Sequence, residues 1–221
     1  MGANQWKHAH SLVQMANDTL KFYLSGAVKD SNHLLLSTRP AKTDFVLQTV
    51  DFKDRDTWNV NYWRALIVWD SLTGNNGMVY ISDPIENDIT ISGSFLGQMK
   101  ASINKKDLDF SINLFEQMPD GKLFYLSYFM GRASYSKNIL KRELLTPGKI
   151  ETIPFTNTSI AVKKISKGSR IVVLVNVNKS PFEQINYGTG KDINEETIKD
   201  AKVPLKVKWF NSSYIEIPIL K

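Results

Sequence analysis

Cysteine is absent from this 221-residue sequence, and histidine occurs only three times. The absence of cysteine excludes disulfides, thiolate nucleophiles and zinc sites built on cysteine. His8 and His10 alternate in an extended segment, but a zinc ion needs further ligands that nothing nearby supplies. We therefore expect both to lie on a surface or between domains, and we expect no metal ion and no cofactor.

Long apolar runs are also missing. No stretch approaches the roughly 18 apolar residues that a membrane-spanning helix requires, and the N-terminus lacks the basic and then apolar pattern of a signal peptide. We therefore expect a soluble chain without a membrane partner.

The sequence contains no Gly-x-Ser-x-Gly motif, which carries the nucleophile in α/β-hydrolases. Ser94 follows Gly93 but lacks the second glycine at the required offset, and Ser169 lies in a turn signal that opens an apolar run. With no such serine paired to a base and an acid, we expect this chain alone to have no catalytic residues.

A large block of charge of one sign is missing too. The net charge is +6 and the isoelectric point is near 9.3. Lysine and arginine occur in small groups such as Lys141-Arg142, with acids interleaved at 51–56 and 195–200. This distribution favours solubility over nucleic-acid binding, so we expect no nucleic-acid partner.

Apolar and aromatic residues are plentiful, and their spacing indicates strands. Apolar residues make up 42% of the chain, with 11 Phe, 8 Tyr and 5 Trp, enough to fill a core between two sheets. Period-two or continuous apolar segments predict strands near 19–25, 33–37, 45–50, 89–92, 110–114, 123–132, 152–162, 170–176, 205–210 and 214–219. We predict an all-β sandwich in a single domain covering residues 1–221.

Turn and capping signals refine this prediction. The segment from Met78 to Lys122, with a hairpin at Pro119-Asp120-Gly121, predicts one layer of the sandwich. A strand pair is expected around Asn157-Thr158. One or two short helices are expected as well, the clearer one over 195–200 with Asn194 as its N-cap.

Several motifs occur in an order that resembles a known family. They are Met1-Gly2 followed by Trp6, Tyr80-Ile81-Ser82-Asp83-Pro84 ending at Gly93, Asp107-Leu108-Asp109-Phe110, Pro119-Asp120-Gly121, Arg132-Ala133-Ser134-Tyr135, Pro147-Gly148 and Lys167-Gly168-Ser169-Arg170. The pattern resembles the C-terminal non-catalytic domain of the X-Pro dipeptidyl peptidase and cocaine esterase (CocE/NonD) hydrolases. It looks most like the glutaryl-cephalosporin acylase-like members.

The resemblance implies a jelly-roll sandwich, similar to galactose-binding domains, that forms the C-terminal fragment of a longer α/β-hydrolase protein. Its partner would be the upstream catalytic domain of the same polypeptide, which it supports, with homodimer contacts in the parent as a second role. The parent would be a serine hydrolase acting on ester or amide bonds, either periplasmic or secreted, with its nucleophile, base and acid upstream of Met1. The resemblance also implies structural roles for Asp83, Pro84, Asp109, Arg132, Gly168 and Arg170.

Four aromatic residues, Trp58, Tyr62, Trp63 and Trp69, have more than one interpretation. Large rings usually fill a core or plug its end. The resemblance adds a second interpretation, in which part of the set is the surface that packs on the hydrolase domain. The same rings would suit a ligand platform, so the alternative function is an independent carbohydrate- or peptide-binding module.

Acidic residues also have two interpretations. Asp83, Glu86 and Asp88, and separately Asp107 and Asp109, carry the oxygen ligands that calcium takes. Their spacing does not match a calcium loop, and turn formation and capping explain them more simply. Asp109 and Arg132 fall on neighbouring predicted strands, where they are placed to form an ion pair.

Overall fold

The computed structural model describes residues 1–57, 67–72 and 76–221 of the chain. Within these ranges the strands are β1 Asp18–Lys29, β2 Asn32–Leu36, β3 Phe45–Val50, β4 Val68–Trp69, β5 Met78–Ile81, β6 Ile89–Gly93, β7 Leu96–Ile103, β8 Asp109–Gln117, β9 Leu123–Arg132, β10 Glu151–Thr156, β11 Ala161–Ile165, β12 Arg170–Val177, β13 Leu205–Phe210 and β14 Tyr214–Leu220. The helical elements are 3-10 helices at Leu12–Met15, Ala133–Tyr135, Ile193–Glu195 and Ile198–Ala201. The prediction of an all-β protein is confirmed.

The strands form a single hydrogen-bonded sheet. The main order is β3-β13-β7-β14-β1-β2-β5-β12-β8-β9-β4, while β10 pairs with β7, and β6 pairs with both β11 and β14. The β2–β5 pair is parallel, and the other pairs among the described residues are antiparallel. Most neighbours in this order are far apart in sequence, so the fold depends on long-range pairing.

Ring contacts show that the sheet folds over on itself. Strands β8 and β13 are separated by six strands in the sheet order, yet the ring centroids of Phe110 and Trp209 are 6.2 Å apart. The ring of Phe155 on β10 lies 6.5 Å from that of Phe110. A flat sheet could not bring these rings together, so the two halves face each other across a core, as the predicted sandwich requires.

Strand β12 is buried on both of its faces. Its residues Ile171, Val173 and Val175 enter the main core, while Val172 and Leu174 point to a second apolar cluster. A strand buried on both faces reads as a continuous apolar run, in agreement with the sequence RIVVLVN. The strand predicted near 170–176 is confirmed as β12.

Two predictions about pairing are wrong. The segment Met78–Lys122 does not form one layer, because β5 and β8 flank β12 whereas β6 and β7 both pair with β14. The strands on either side of Asn157-Thr158 exist, but β10 pairs with β7 and β11 pairs with β6. Local alternation reports a strand and its buried face, and it carries no information about a distant partner.

The short helix near the C-terminus also differs in detail from the prediction. The predicted helix is divided into two 3-10 helices. Asp192, not Asn194, caps Ile193–Glu195, because its carboxylate accepts a hydrogen bond from the backbone N–H of Asn194. Thr197 and Asp200 form a capping box on Ile198–Ala201. Each helical element in the described ranges is only about one turn long, so none of them could cross a membrane.

Candidate functional site

One end of the sandwich carries a buried network of charged and amide side chains. Asp107 is fully buried just before β8, and one of its carboxylate oxygens accepts hydrogen bonds from the backbone N–H groups of Leu108 and Ser134 at 2.9 and 3.0 Å. The other oxygen accepts from the Ser134 hydroxyl at 2.6 Å and from Arg142 at 3.2 Å. Both carboxylate oxygens therefore accept two hydrogen bonds each from groups of the protein itself.

Asp109, two residues further on, forms the second half of this network. It pairs with Arg132 across β8 and β9, with Nε and Nη2 of Arg132 at 2.8 and 3.0 Å from the two carboxylate oxygens. The buried Asn186 donates a further hydrogen bond at 2.8 Å. The predicted ion pair is confirmed, and its two-point geometry gives both strength and a fixed orientation.

Burial raises the pKa of Asp109, and the hydrogen bonds from Arg132 and Asn186 oppose this rise. A raised carboxyl pKa in a cleft is one mark of a general acid. Here both carboxylate oxygens are occupied by protein donors, so the arrangement is suited to holding chain segments together and offers substrate no free oxygen.

The network connects three segments that are distant in sequence. Arg142 donates to the carbonyl oxygen of Lys191 at 2.6 Å, and Arg132 donates to Gln184 at 3.0 Å. The loop after β9 and the loop after β12 are therefore both fixed to the start of β8. Sequence reasoning identified Asp109 and Arg132 but missed Asp107, Ser134 and Arg142 as one unit, because their proximity depends on tertiary pairing.

A turn held by this network exposes two large apolar side chains. The side-chain oxygen of Asn138 accepts from the backbone N–H of Leu140 at 2.9 Å, which closes the turn just before Arg142. Ile139 is 81% exposed and Leu140 is 91% exposed. The apolar pair within Asn138-Ile139-Leu140-Lys141, outside any alternating pattern, was the signal available in the sequence, and it was not used.

The other structural positions named from the sequence lie at the opposite end of β12. Arg170 donates to the carbonyl oxygen of Ser82 at 2.7 Å, and the backbone N–H of Gly168 donates to that of Ile85 at 2.8 Å. Asp83 and Pro84 are exposed and lie within the loop that these bonds close. Gly168 has a φ of +87°, which its lack of a side chain permits.

Ser169 in this turn is not a nucleophile. It is fully buried, and its hydroxyl donates to Glu116 at 2.7 Å. The second carboxylate oxygen of Glu116 accepts from the ammonium group of Lys163, which also lies over the ring of Phe124. These groups hydrogen-bond one another in the interior.

The described residues bring no serine into hydrogen-bond contact with a histidine. Ser94 donates to the carbonyl oxygen of Ser159 at 3.1 Å. His8 and His10 are exposed in the segment before β1, as expected, and His33 packs against Tyr80 with the rings tilted by 32° and their centroids 5.1 Å apart. Nor do the described residues include a group of three or more acidic, histidine or cysteine side chains that could hold a metal ion.

Of the four aromatic residues singled out in the sequence, Trp69 lies within the described ranges. It is 5% exposed and belongs to the second apolar cluster, where its ring stacks on Tyr125 at 5.9 Å and meets Phe115 edge-on at 5.2 Å. Trp69 therefore fills a core instead of forming an exposed platform. Trp58, Tyr62 and Trp63 lie outside the described residues.

Comparison with known proteins identifies a family that covers most of the chain. Residues 1–207 match the model of the X-Pro dipeptidyl-peptidase C-terminal non-catalytic domain. A search of curated proteins finds no match.

Solved structures with the same fold belong to longer hydrolases. An aminopeptidase from the marine sediment archaeon Thaumarchaeota archaeon superposes with a TM-score of 0.79 at 19% identity, covering 100% of this chain and 39% of that one. An α-amino acid ester hydrolase gives a TM-score of 0.77 at 18% identity, covering 91% and 36%. A CocE/NonD family hydrolase from Staphylococcus aureus gives 0.66 at 13%, covering 98% and 39%.

At these identities the superpositions establish the fold alone, and this chain spans less than two fifths of the length of each solved relative. The family model, by contrast, matches nearly the whole sequence. The chain belongs to the family of X-Pro dipeptidyl-peptidase C-terminal non-catalytic domains.

Proposed function

We propose that this domain packs against an α/β-hydrolase domain in the same polypeptide and supports it, without itself contacting the reacting bond. The single domain 1–221 would then be the C-terminal part of a longer serine hydrolase. The observation that carries the proposal is the turn at 138–141, which is anchored by Arg142 and presents Ile139 and Leu140 almost fully exposed.

Exposed apolar side chains on a fixed turn lose less conformational entropy on binding a partner than the same side chains on a flexible turn. The ion pair with the fully buried Asp107 fixes Arg142 next to the turn, so binding a partner there would require little further ordering. The solved hydrolases that share the fold are more than twice as long as this chain, which supports a partner within the same polypeptide.

For the parent protein we propose acyl transfer from an ester or amide through an acyl-serine intermediate. The motif pattern looks most like that of the glutaryl-cephalosporin acylase-like members, and homodimer contacts in the parent are a second proposed role of this domain. A complete reading frame with a Gly-x-Ser-x-Gly motif upstream of Met1 is the first expected result. The 221-residue chain alone should hydrolyse no ester, and a turnover blocked by a serine-directed inhibitor would contradict the proposal.

The docking role is tested with two matched double variants of the protein encoded by that reading frame. Ile139→Glu with Leu140→Glu should lower the thermal stability of the full protein but leave that of the 221-residue chain almost unchanged. The control is Ile160→Glu with Val203→Glu, since both residues are also exposed. Equal effects of the two variants on the full protein would show that the turn is not the contact.

A further inference from the structure

A cleft beside β7 and the end of β13 is lined by none of the residues of the turn at 138–141. It has a volume of about 460 Å³ and lies between the loop 39–43, the turn 210–212, Lys100 on β7 and Ile150 before β10. This volume falls within the range of small-molecule sites, which is about 300–1,000 Å³.

The walls of the cleft are tied together by hydrogen bonds. The buried Asn211 donates from its side chain to the carbonyl oxygen of Lys42 at 2.8 Å, and from its backbone N–H to that of Asp44 at 2.9 Å. The hydroxyl of Ser213 accepts from the backbone N–H of Lys100 at 2.9 Å. The loop, the turn and β7 are therefore held in one arrangement before any ligand arrives.

The charge inside the cleft is positive and is not neutralised by the protein. Arg39 and Lys100 are the charged residues that line it, and neither forms an ion pair with a carboxylate in the described part of the chain. The stretches 58–66 and 73–75 contain no Asp or Glu in their sequence, so they cannot supply one.

Two acids directly follow the lining residues Thr43 and Ile150 in the sequence. Glu151 lies between Lys137 and Lys149, at 3.7 and 3.9 Å. Asp44 has no ion-pair partner in the described ranges, and its carboxylate accepts a hydrogen bond from the backbone N–H of Phe45 at 2.8 Å and lies beside Gly26, which does not line the cleft. The two cations of the cleft therefore exceed this one acid, and their net positive charge attracts an external anion.

We propose that this cleft binds a small organic anion, in which a carboxylate or phosphate group contacts Arg39 and Lys100. Charge-assisted hydrogen bonds to such groups are about twice as strong as neutral ones, and the planar guanidinium matches both anions. The hydroxyl groups of Thr43 and Ser212 provide further donors at the lining. Pro40, Ile150 and Phe210 give one side of the cleft an apolar surface, which suits a ligand with a short hydrocarbon part.

The test uses the 221-residue chain and four probes: butyrate, monobutyl phosphate, the neutral butyramide, and galactose. Binding is followed by the shifts of backbone amide resonances in NMR titrations. One or both anions should shift the resonances of residues around 39–43 and 210–213, and the order of their affinities distinguishes a carboxylate site from a phosphate site. The neutral butyramide and galactose should shift none of them.

The charge requirement is tested with two variants that each remove two positive charges. Arg39→Gln with Lys100→Gln should weaken anion binding by about tenfold or more. The matched control, Lys206→Gln with Lys208→Gln, changes two exposed lysines of β13 outside the cleft and should weaken it less than about twofold. Because Arg39 is exposed, the single variant Arg39→Gln offers the same comparison if the double variant does not fold.

Three results would overturn the proposal. The first is the absence of any shift with either anion at concentrations up to about 10 mM, which is tenfold above a millimolar dissociation constant. The second is an equal loss of affinity in the two double variants. The third is binding of galactose or butyramide as strong as that of the anions. The last would indicate a neutral-ligand site of the kind that carbohydrate-binding sandwiches have.

Discussion

Asp107 is a fully buried acid with four hydrogen-bond donors around it. A single carboxylate that accepts from two backbone N–H groups, a hydroxyl and a guanidinium replaces most of the hydration it loses on burial. The interaction fixes the position of Ser134 and Arg142 relative to β8, and through Arg142 it fixes the exposed turn at 138–141.

Replacing Asp107 with Ala should lower the free energy of unfolding by about 3 kcal/mol, because it leaves Arg142 and the N–H of Ser134 without their acceptor. Urea unfolding followed by tryptophan fluorescence measures this change. Glu86→Ala, at an exposed acid, is the control and should change stability by less than about 0.5 kcal/mol. Similar values for the two variants would mean that the network contributes little to folding.

Asp200 should contribute a measurable part of the acid sensitivity of the fold. Its hydrogen bonds with Lys191 and Thr197 hold its pKa below the usual value of 3.8. The native state therefore binds the proton more weakly than the unfolded state, so the stabilisation is present above about pH 4 and is lost as the pH falls further.

Asp200→Asn should accordingly flatten the dependence of unfolding free energy on pH between about 4 and 2. Urea titrations at several pH values give this slope. The control is Glu86→Gln, at an acid without an ion pair among the described residues, and it should retain the wild-type slope. If Asp200→Asn left the pH dependence of the unfolding free energy unchanged, Asp200 would not be a source of the acid sensitivity.

Strand β7 shows how one element can be shared by several others. Its first residues pair with β10 on one side and β14 on the other, and its last residues pair with β13. At Gly97 the neighbouring strands leave no space for a side chain. A Cβ there would overlap the carbonyl oxygen of Tyr214 and lie 2.6 Å from the ring of Phe155.

Gly97→Ala should therefore lower the free energy of unfolding by about 3 kcal/mol, because backbone atoms cannot move aside easily. Gly121→Ala provides a control of a different kind. Gly121 has a φ of +87° but open space around it, so only backbone strain of about 1 kcal/mol is expected there. Chemical denaturation distinguishes the two, and an equal loss at both positions would contradict the packing argument.

The prediction of strands succeeded where the burial pattern repeats within a few residues. Ile215, Ile217 and Ile219 are buried on β14 while their neighbours are partly exposed, which is the period-two pattern of its sequence. Sheet pairing was not predictable in the same way. The strands before and after Asn157-Thr158 look like a hairpin, yet each pairs with a strand some 50 or more residues away.

The molecule as a whole depends on its last strand. Strand β14 pairs with β1 along one edge and with both β6 and β7 along the other. It therefore joins the first strand of the chain to the middle of the sheet, and its three buried isoleucines belong to the main core. Few contacts that hold the sandwich together are local.

Removing residues 214–221 should abolish cooperative unfolding, because it exposes long unpaired edges and opens the core. Thermal unfolding monitored by near-ultraviolet circular dichroism tests this. A chain lacking residues 1–10 is the comparison, since these residues are exposed, and it should keep a cooperative transition. A cooperative transition after loss of β14 would show that the remaining strands close a core without it.

Some features of the candidate surfaces could be inferred from the sequence, and others could not. Asp109 and Arg132 could be paired from the sequence because both lie on strands that are consecutive along the chain. The apolar pair Ile139-Leu140 was visible in the sequence, but its exposure on an anchored turn was not. The cleft between Arg39 and Lys100 could not be found, since the folded sheet alone brings its segments together. Trp69 has two reasonable interpretations in the sequence, and only its burial against Phe115 and Tyr125 assigns it to a core.

The sequence alone determined the all-β class, the positions of most strands and the lack of a nucleophile motif, because these depend on residue type and short-range spacing. The tertiary structure decided which strands pair, which polar residues meet in the buried network, and which apolar and cationic side chains remain exposed. The physical reason is that hydrogen-bond partners and core contacts in this fold are distant along the chain, so the free energy that selects them arises only when the whole sheet closes.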